Sequence, residues 1–198
     1  MVQLAGTERA AYVHTMFARV AKHYDRLNRV LSLGQDVKWR RWVVDLAHLP
    51  SGAKVLDIGT GTGDLAREVL HRDSLALAVG GDLSMQMMRR GRARQGSERI
   101  QWLNTDALHL PFPEASFDAV ISGYLIRNVA DVRQALAEQY RVLKPGGSVV
   151  CLDTTPLPSG WRHGPAHFYL SSIVPLLGRF VAGEETHTLI CQNPQRIS

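Results

Sequence analysis

Residues 55–64 read Val55-Leu56-Asp57-Ile58-Gly59-Thr60-Gly61-Thr62-Gly63-Asp64, so that an apolar run leads directly into three glycines at alternate positions. Glycine lets a backbone turn tightly and approach a ligand closely, because it has no Cβ. An amphipathic helical pattern follows over residues 65–70. The sequence therefore predicts a strand, a ligand-binding loop at its carboxyl end, and a helix.

The spacing of these glycines separates two classes of ligand. A dinucleotide site is typical of G-x-G-x-x-G, whereas Gly59, Gly61 and Gly63 follow a G-x-G-x-G pattern. Asp57 stands two residues before the first glycine, where its carboxylate would repel a pyrophosphate but attract a ligand that carries an ammonium and a sulfonium. The pattern favours S-adenosylmethionine (SAM) over NAD, and a Rossmann oxidoreductase is the alternative.

Strand and helix patterns alternate along the chain. After the first strand, further strands are predicted at 75–81, 100–103, 117–122 and 149–152, with Lys144-Pro145-Gly146-Gly147 turning the chain into the last one. Thr62, Ser84 and Asp131 are predicted helix caps. The alternation predicts an α/β fold, a doubly wound and mostly parallel Rossmann-like sheet with helices on both faces.

Polar residues at the strand ends predict where the ligand binds. Asp82 follows the second strand, about twenty residues after the glycines, where nucleoside-binding folds place a carboxylate for the ribose hydroxyls. Asp106 follows the third strand and is a candidate acceptor for an adenine amino group, with an ordinary loop acid as the alternative. Gly123 ends the fourth strand. Together with Asp57, these positions fall on one rim of the sheet.

Composition sets the broad class. The 198 residues, 45% of them hydrophobic, suffice for a core, and we expect a single domain over 1–198 with an N-terminal helical lid at about 8–48. The net charge of +5 permits a nucleic acid or an anionic membrane as partner, but solvated helix faces give the same excess. Cys151 and Cys191 provide no disulfide framework, and without a signal peptide or spanning segment a cytoplasmic location is expected.

A metal site is disfavoured. His163 and His167 stand four residues apart, a spacing that suits two metal ligands on a helix. Gly164-Pro165 interrupts any such helix, and no third ligand is evident. We therefore expect no metal.

Several stretches together resemble one enzyme family. The glycine loop, Asp82, Asp106-Ala107 and the Lys144-Pro145-Gly146-Gly147 turn are similar to SAM-dependent class I methyltransferases in general. The chain more specifically resembles the ubiquinone/menaquinone biosynthesis C-methyltransferase family, over roughly 17–178, in these elements: Phe17-Ala18-Arg19-Val20-Ala21, Tyr24-Asp25, Asn28, Ser32-Leu33-Gly34, Trp39-Arg40, Leu110-Pro111-Phe112 and Arg127-Asn128-Val129.

The resemblance implies transfer of the SAM methyl group to a ring carbon of a polyprenylated quinol, either demethylmenaquinol or a ubiquinol precursor. Carried over position by position, it assigns cofactor contacts to Thr62, Asp82, Asp106, Ala107 and Gly123. It assigns the quinol side to Tyr24, Asp25, Asn28, Arg127 and Asn128.

The chemistry of this transfer fits those residues. A ring carbon becomes nucleophilic when a neighbouring phenol loses its proton, and Arg127 could stabilise the resulting phenolate. Arginine stays protonated and is a poor base. Our hypothesis for the proton acceptor is therefore a water held by Arg127, Asn128 or Tyr24.

The sequence departs from the family at two places. Leu125 stands where the family usually has glycine, which predicts an altered substrate fit or local backbone. Residues 183–198 show no closing strand pair, so we expect an exposed sheet edge. Such an edge predicts a partner across it, a second copy of the chain first of all, or a shortened and less stable variant.

Other functions remain open at this point. The chain could methylate another small molecule or RNA, or it could be a SAM-binding but inactive subunit of an assembly. Stacking aromatics interleaved with arginine would favour RNA, and only 24–42 comes close, so nucleic acid is disfavoured. The apolar segment 168–177 fits a prenyl chain, a peripheral contact with the inner membrane face, or a buried helix equally well.

Overall fold

The computed structural model describes residues 28–30 and 32–153. The chain divides into two compact units, one containing residues 37–153 and the other residues 28–36. In the second unit, Asp36 pairs with Arg29 at 3.2 Å and accepts a hydrogen bond from Ser32 Oγ at 3.0 Å. The single domain and its lid at 8–48 stay predictions, since most of the lid lies outside the described residues.

The larger unit contains a five-stranded sheet in the order β3-β2-β1-β4-β5. All four neighbouring pairs are parallel. The strands are β1 Lys54–Ile58, β2 Leu77–Asp82, β3 Gln101–Asn104, β4 Phe117–Gly123 and β5 Leu143–Leu152. This arrangement confirms the predicted Rossmann-like fold, while the expected lack of a closing strand pair concerns residues outside the described range.

Helices connect the strands and cover both faces of the sheet. They are α1 Gln35–Leu46, α2 Asp64–Arg72, α3 Met85–Arg92, a 3₁₀ turn Ile126–Asn128, and α4 Val132–Arg141. Successive side chains of a strand point to opposite faces. Val55 accordingly packs with Leu65 and Val69 of α2, whereas Leu56 packs in a second cluster with Val142, which follows α4.

Two of the three predicted helix caps are confirmed. Ser84 Oγ accepts a hydrogen bond from the Met87 amide at 3.4 Å, and the Asp131 carboxylate accepts one from the Gln134 amide at 3.0 Å. The prediction for Thr62 is wrong. Helix α2 is preceded by Gly63 in a left-handed conformation with φ of 78° and no side-chain cap, and the Thr62 hydroxyl accepts from Arg94 instead.

The last strand begins earlier than predicted. Phe117 pairs with Leu143 and Ala119 pairs with Ser148. The register therefore advances by two residues along β4 and by five residues along β5. The Lys144-Pro145-Gly146-Gly147 stretch is therefore a bulge inside β5 rather than a turn before it. Glycine suits the bulge because Gly146 has φ of 80° and a Cβ on Gly147 would lie 2.7 Å from the Asp118 carbonyl oxygen.

Helix α4 buries only a narrow part of its surface. Ala135 and Gln139 are fully buried, whereas Val132 and Leu136 are 41% exposed and Tyr140 is 78% exposed. The buried amide of Gln139 accepts a weak hydrogen bond from Cys151 Sγ at 3.9 Å. Ala135 and Gln139, which lie one helical turn apart, are therefore the residues through which α4 packs against the sheet.

Candidate functional site

The glycine loop after β1 is fastened to the end of β2. The amides of Gly59 and Thr60 donate to the Gly81 carbonyl at 2.8 and 3.0 Å, and the Gly61 amide donates to Asp82 Oδ2 at 2.7 Å. Gly59, Gly61 and Gly63 all have positive φ, at 72°, 56° and 78°. Residues with a Cβ rarely adopt such angles, so the loop needs glycine at these three positions.

Asp57 is hydrogen-bonded to this loop. Its side chain is buried, and its Oδ2 accepts hydrogen bonds from Thr60 Oγ1 at 2.6 Å and from the Ala66 amide at 3.1 Å. Burial raises the pKa of Asp57 to about 7 in spite of these two hydrogen bonds, which act to lower it. Its Oδ1 has no partner in the described part of the chain. A buried acceptor of this kind fits a cationic ligand, since buried polar atoms are nearly always hydrogen-bonded.

Asp82 links the loop to helix α3. Its Oδ2 accepts from the Gly61 amide and its Oδ1 from the Ser84 amide, both at 2.7 Å. The Asn104 side chain donates to the Asp82 carbonyl at 2.8 Å, which ties the end of β3 to the end of β2. Each carboxylate oxygen has a second lone pair, so this geometry is compatible with hydrogen bonds from ribose hydroxyls.

The loop after β3 and the end of β4 complete this edge. Asp106 Oδ1 accepts from the Leu108 amide at 2.9 Å, and Ala107 is buried. Gly123 is the last residue of β4, and a Cβ there would lie 3.3 Å from a Leu65 methyl group. The structure thus brings the cofactor candidates of four strand ends, Asp57, Asp82, Asp106 and Gly123, to the carboxyl edge of one sheet.

Sequence reasoning missed a charged cluster around Asp64. Arg40, Arg67 and Arg94 all form ion pairs with this carboxylate, the one with Arg94 at 2.9 Å. Arg67 also donates to the Thr62 carbonyl at 2.8 Å, and Arg94 to the Thr62 hydroxyl at 3.2 Å. The cluster joins α1, α2 and the segment after α3, and it fixes the position of Thr62.

The predicted quinol-side residues are only partly described. Tyr24 and Asp25 lie outside the described residues, and Asn28 belongs to the second unit. Arg127 and Asn128 form the 3₁₀ turn after β4. Asn128 Nδ2 donates to the Tyr124 carbonyl at 2.7 Å, and the Arg127 guanidinium lies 4.6 Å from the centre of the Tyr124 ring.

Asp153 is a second residue that sequence reasoning missed at this end of the sheet. It follows β5 directly, and its Oδ2 accepts from the Arg127 amide at 3.0 Å. Its Oδ1 pairs with Arg127 Nη1 at 2.5 Å. The only signal in the sequence was its position as an acid after a strand, like that of Asp82.

Leu125 is accommodated by the glycine loop. A Cβ on Gly59 would lie 2.9 Å from Leu125 Cδ1, so the missing side chain of Gly59 leaves room for the larger residue. The preceding Tyr124 adopts a left-handed φ of 59°, unusual for an aromatic residue. The altered substrate fit or local backbone expected from Leu125 stays a prediction.

Comparison with known sequences identifies relatives over nearly the whole chain. The model of the ubiE/COQ5 methyltransferase family matches residues 5–193. The ubiquinone/menaquinone biosynthesis C-methyltransferase UbiE of Desulfotalea psychrophila is 46% identical over 174 residues, which cover 87% of this chain and 70% of that protein. The demethylmenaquinone methyltransferase of Thermus thermophilus is 43% identical over 171 residues, covering 85% of this chain and 77% of that protein.

Two solved structures of similar fold are described as methyltransferases. A putative methyltransferase of Haloferax volcanii, in complex with the Trm112 activator, has a TM-score of 0.58 at 28% identity and 68% coverage of this chain. A SAM-dependent methyltransferase of Thermotoga maritima, a possible histamine N-methyltransferase, has a TM-score of 0.55 at 28% identity and 69% coverage. This chain spans 58% and 59% of those two chains.

Proposed function

Because the chain belongs to the ubiE/COQ5 methyltransferase family, we propose that it transfers the methyl group of SAM to a ring carbon of a polyprenylated quinol. It is a methyltransferase of quinone biosynthesis, as the names of its relatives indicate. The observation that carries the proposal is the joining of the glycine loop, Asp57 and Asp82 at one sheet edge, beside the turn that holds Arg127.

The residues at this edge fit SAM. Asp82 would accept hydrogen bonds from the ribose hydroxyls, and Asp106 with Ala107 would meet the adenine. The unpartnered Oδ1 of Asp57 suits the cationic methionine end, while Gly59, Gly61, Gly63, Thr62 and Gly123 would form the cradle. SAM, when bound, supplies an electrophilic methyl group on a sulfonium.

Arg127 would favour ionisation of the quinol hydroxyl next to the reacting carbon. A guanidinium keeps its proton and can therefore stabilise an oxyanion without accepting the proton itself. Asn128 and Tyr24 are proposed to hold, with Arg127, the water that takes this proton. Tyr24, Asp25 and Asn28 would complete the quinol side.

The proposed substrate implies that the enzyme acts at a membrane surface, since a polyprenyl chain partitions into a bilayer. No helix among residues 28–30 and 32–153 is long and apolar enough to cross one. A peripheral contact at the cytoplasmic face of the inner membrane would reconcile these two observations. The apolar segment 168–177, which fits such a contact and a buried helix equally well, lies outside the described residues, and the homodimer stays a prediction.

The first test is calorimetric binding of SAM to the wild-type chain and to Asp82→Ala. We expect binding by the wild type and a loss of affinity of about tenfold or more in the variant, because ribose contacts and the anchor of Gly61 disappear together. Asp45→Ala is the control, since Asp45 is an exposed acid that pairs with Arg72 and should leave binding unchanged.

Methyl transfer then distinguishes the rings. Demethylmenaquinol and a ubiquinol-precursor analogue are incubated with labelled SAM, and the extracted quinol is counted. Transfer to either one supports the proposal and selects the ring. Binding without transfer would instead favour the inactive-subunit alternative, and a folded protein that does not bind SAM would refute both.

A further inference from the structure

We infer that Asp153 is a positioning residue for the transfer reaction, one that holds the Arg127 guanidinium in its working orientation at the quinol. The inference deepens the proposed function and rests on it for the role of Arg127. Asp153 belongs to no sequence motif, but its contacts at the ends of β4 and β5 point to this role.

The Asp153 carboxylate holds Arg127 at two separate points. Oδ2 accepts from the Arg127 amide at 3.0 Å, which fixes the backbone of the 3₁₀ turn. Oδ1 pairs with Nη1 at 2.5 Å, which fixes the far end of the side chain. An arginine has many rotamers in water, and one carboxylate that binds both ends of the residue removes most of them before a substrate arrives.

The turn that Asp153 holds is unusual in its backbone. Tyr124 has φ of 59°, and its amide donates to the Leu152 carbonyl at 2.7 Å, one residue before Asp153. The guanidinium lies 4.6 Å from the Tyr124 ring centre. The end of β5 therefore restrains both Tyr124, which has a left-handed backbone conformation, and Arg127, which packs on the Tyr124 ring. Such restraint is expected where a site requires a fixed geometry.

The ion pair also sets the charge that a quinol oxygen would experience. A lone guanidinium lowers the pKa of a neighbouring phenol, because it favours the phenolate. A carboxylate beside the guanidinium offsets part of that effect. Removing the carboxylate charge therefore frees Arg127 to adopt other orientations, which lowers kcat, whereas in the orientation that still faces the quinol the hydroxyl has a lower pKa.

The chain offers a matched control at the opposite edge of the sheet. Asp118, near the start of β4, also accepts from a backbone amide, that of Lys54 at 2.8 Å. Its other oxygen pairs with Lys144 Nζ at 2.7 Å. Its side chain is 24% exposed, compared with 20% for Asp153, so substitution of the two acids should cost similar stability.

The experiment compares Asp153→Asn, Asp153→Glu and Asp118→Asn with the wild type, using initial rates of quinol methylation against pH at saturating SAM. Asp153→Asn should lower kcat about 10- to 100-fold, leave the SAM dissociation constant within about twofold, and move the rising limb of the pH profile to lower pH. Asp153→Glu retains the charge and should recover most of kcat. Asp118→Asn should change neither kcat nor the profile.

The inference is overturned if Asp153→Asn keeps the wild-type kcat and pH profile, or if Asp118→Asn loses the same activity. A second measurement decides the case in which even the wild type methylates no quinol, so that the proposed function itself has failed. Exchange of the ¹⁵N-labelled Arg127 amide should then be faster in Asp153→Ala, which removes the acceptor of that amide, and unchanged in Asp118→Ala. Unchanged exchange in Asp153→Ala would refute the positioning role on its own.

Discussion

At the scale of single residues, the position of Asp57 beside the glycine loop was predictable from the sequence, whereas its burial and hydrogen bonds were not. Its place before the glycines could be read from the sequence. Its burial, and its hydrogen bond with the Ala66 amide nine residues later, depend on how α2 packs against β1. Proximity of a carboxylate to the loop was therefore predictable, and a pKa raised to about 7 was not.

This raised pKa predicts how stability changes with pH. The folded pKa of about 7 exceeds the ordinary value of 3.8, so the folded state holds a proton that the unfolded state has released. The stability associated with protonated Asp57 is fully present below about pH 4 and is lost as the pH rises through 7, by at most about 1.4 kcal/mol per pH unit.

Urea unfolding of the wild type and Asp57→Asn at several pH values tests this prediction. Asparagine cannot titrate, so the stability of the wild type relative to the variant should decline from about pH 4 to about pH 7. Curves that remain parallel over this range would show that Asp57 has an ordinary pKa.

At the scale of structural elements, the sequence predicted the five strands that residues 32–153 form, since each is a short apolar run bounded by turn residues. It did not predict the bulge in β5, because the bulge exists only through the pairing of Phe117 with Leu143 and Ala119 with Ser148. It also misplaced the cap of α2, because a left-handed Gly63 turns Thr62 away from the helix.

The contact between α3 and the glycine loop gives a second prediction. A Cβ on Gly91 would lie 2.8 Å from the Thr62 carbonyl oxygen and 2.3 Å from the Trp102 ring. Alanine would be favoured in an isolated helix by about 1 kcal/mol, but the collision with backbone should outweigh this. We expect Gly91→Ala to destabilise the protein by about 1–3 kcal/mol.

Thermal and urea unfolding measure this effect. Gly146→Ala is the comparison, because Gly146 has φ of 80° but open space around its Cβ position. Its cost should come from backbone strain alone, about 1 kcal/mol. If Gly91→Ala proved as stable as the wild type, α3 would not pack on the loop as described.

The Asp64 cluster gives a further prediction at this scale. Asp64→Asn leaves Arg40, Arg67 and Arg94 around a neutral amide, with Asp64 and two of the arginines only 14% exposed. Mutual repulsion of half-buried cations should destabilise the protein by about 2–4 kcal/mol. The same change should weaken SAM binding, because two of these arginines hold Thr62.

Asp45→Asn is the matched substitution for this cluster. Asp45 pairs with Arg72 at 2.9 Å, but its side chain is 52% exposed, and exposed pairs contribute less than about 1 kcal/mol. Urea unfolding of both variants should therefore separate them clearly. Equal effects would mean that the Asp64 cluster is no more than a surface ion pair.

At the scale of the whole molecule, the parallel topology explains why the rim of cofactor candidates was predictable. In such a sheet every strand ends at the same edge, so Asp57, Asp82 and Gly123 had to meet there. Asp153 was not predicted to face Arg127, because that meeting requires the β4–β5 register. The sequence also did not predict which side of α4 is buried, with Gln139 inside and Tyr140 exposed.

Cofactor binding should stabilise the whole larger unit, because the site joins the ends of several strands. At a SAM concentration of 100 times the dissociation constant, the gain is about 2.7 kcal/mol, visible as a rise in the temperature of thermal unfolding. NAD should give no rise, and SAM at the same concentration should give a smaller rise with Asp82→Ala, about 1.4 kcal/mol for a tenfold loss of affinity. A rise with NAD alone would revive the oxidoreductase interpretation of the glycine loop.

The buried carboxyl beneath that loop has a consequence for turnover of the proposed enzyme. SAM carries a sulfonium charge that its demethylated product, S-adenosylhomocysteine, lacks. Because burial raises the pKa of Asp57 to about 7, a cation bound beside it would favour loss of its proton, and the product, which lacks the sulfonium charge, would favour the return of one. Cofactor exchange is then also proton exchange, and a more alkaline medium favours fresh cofactor over spent cofactor.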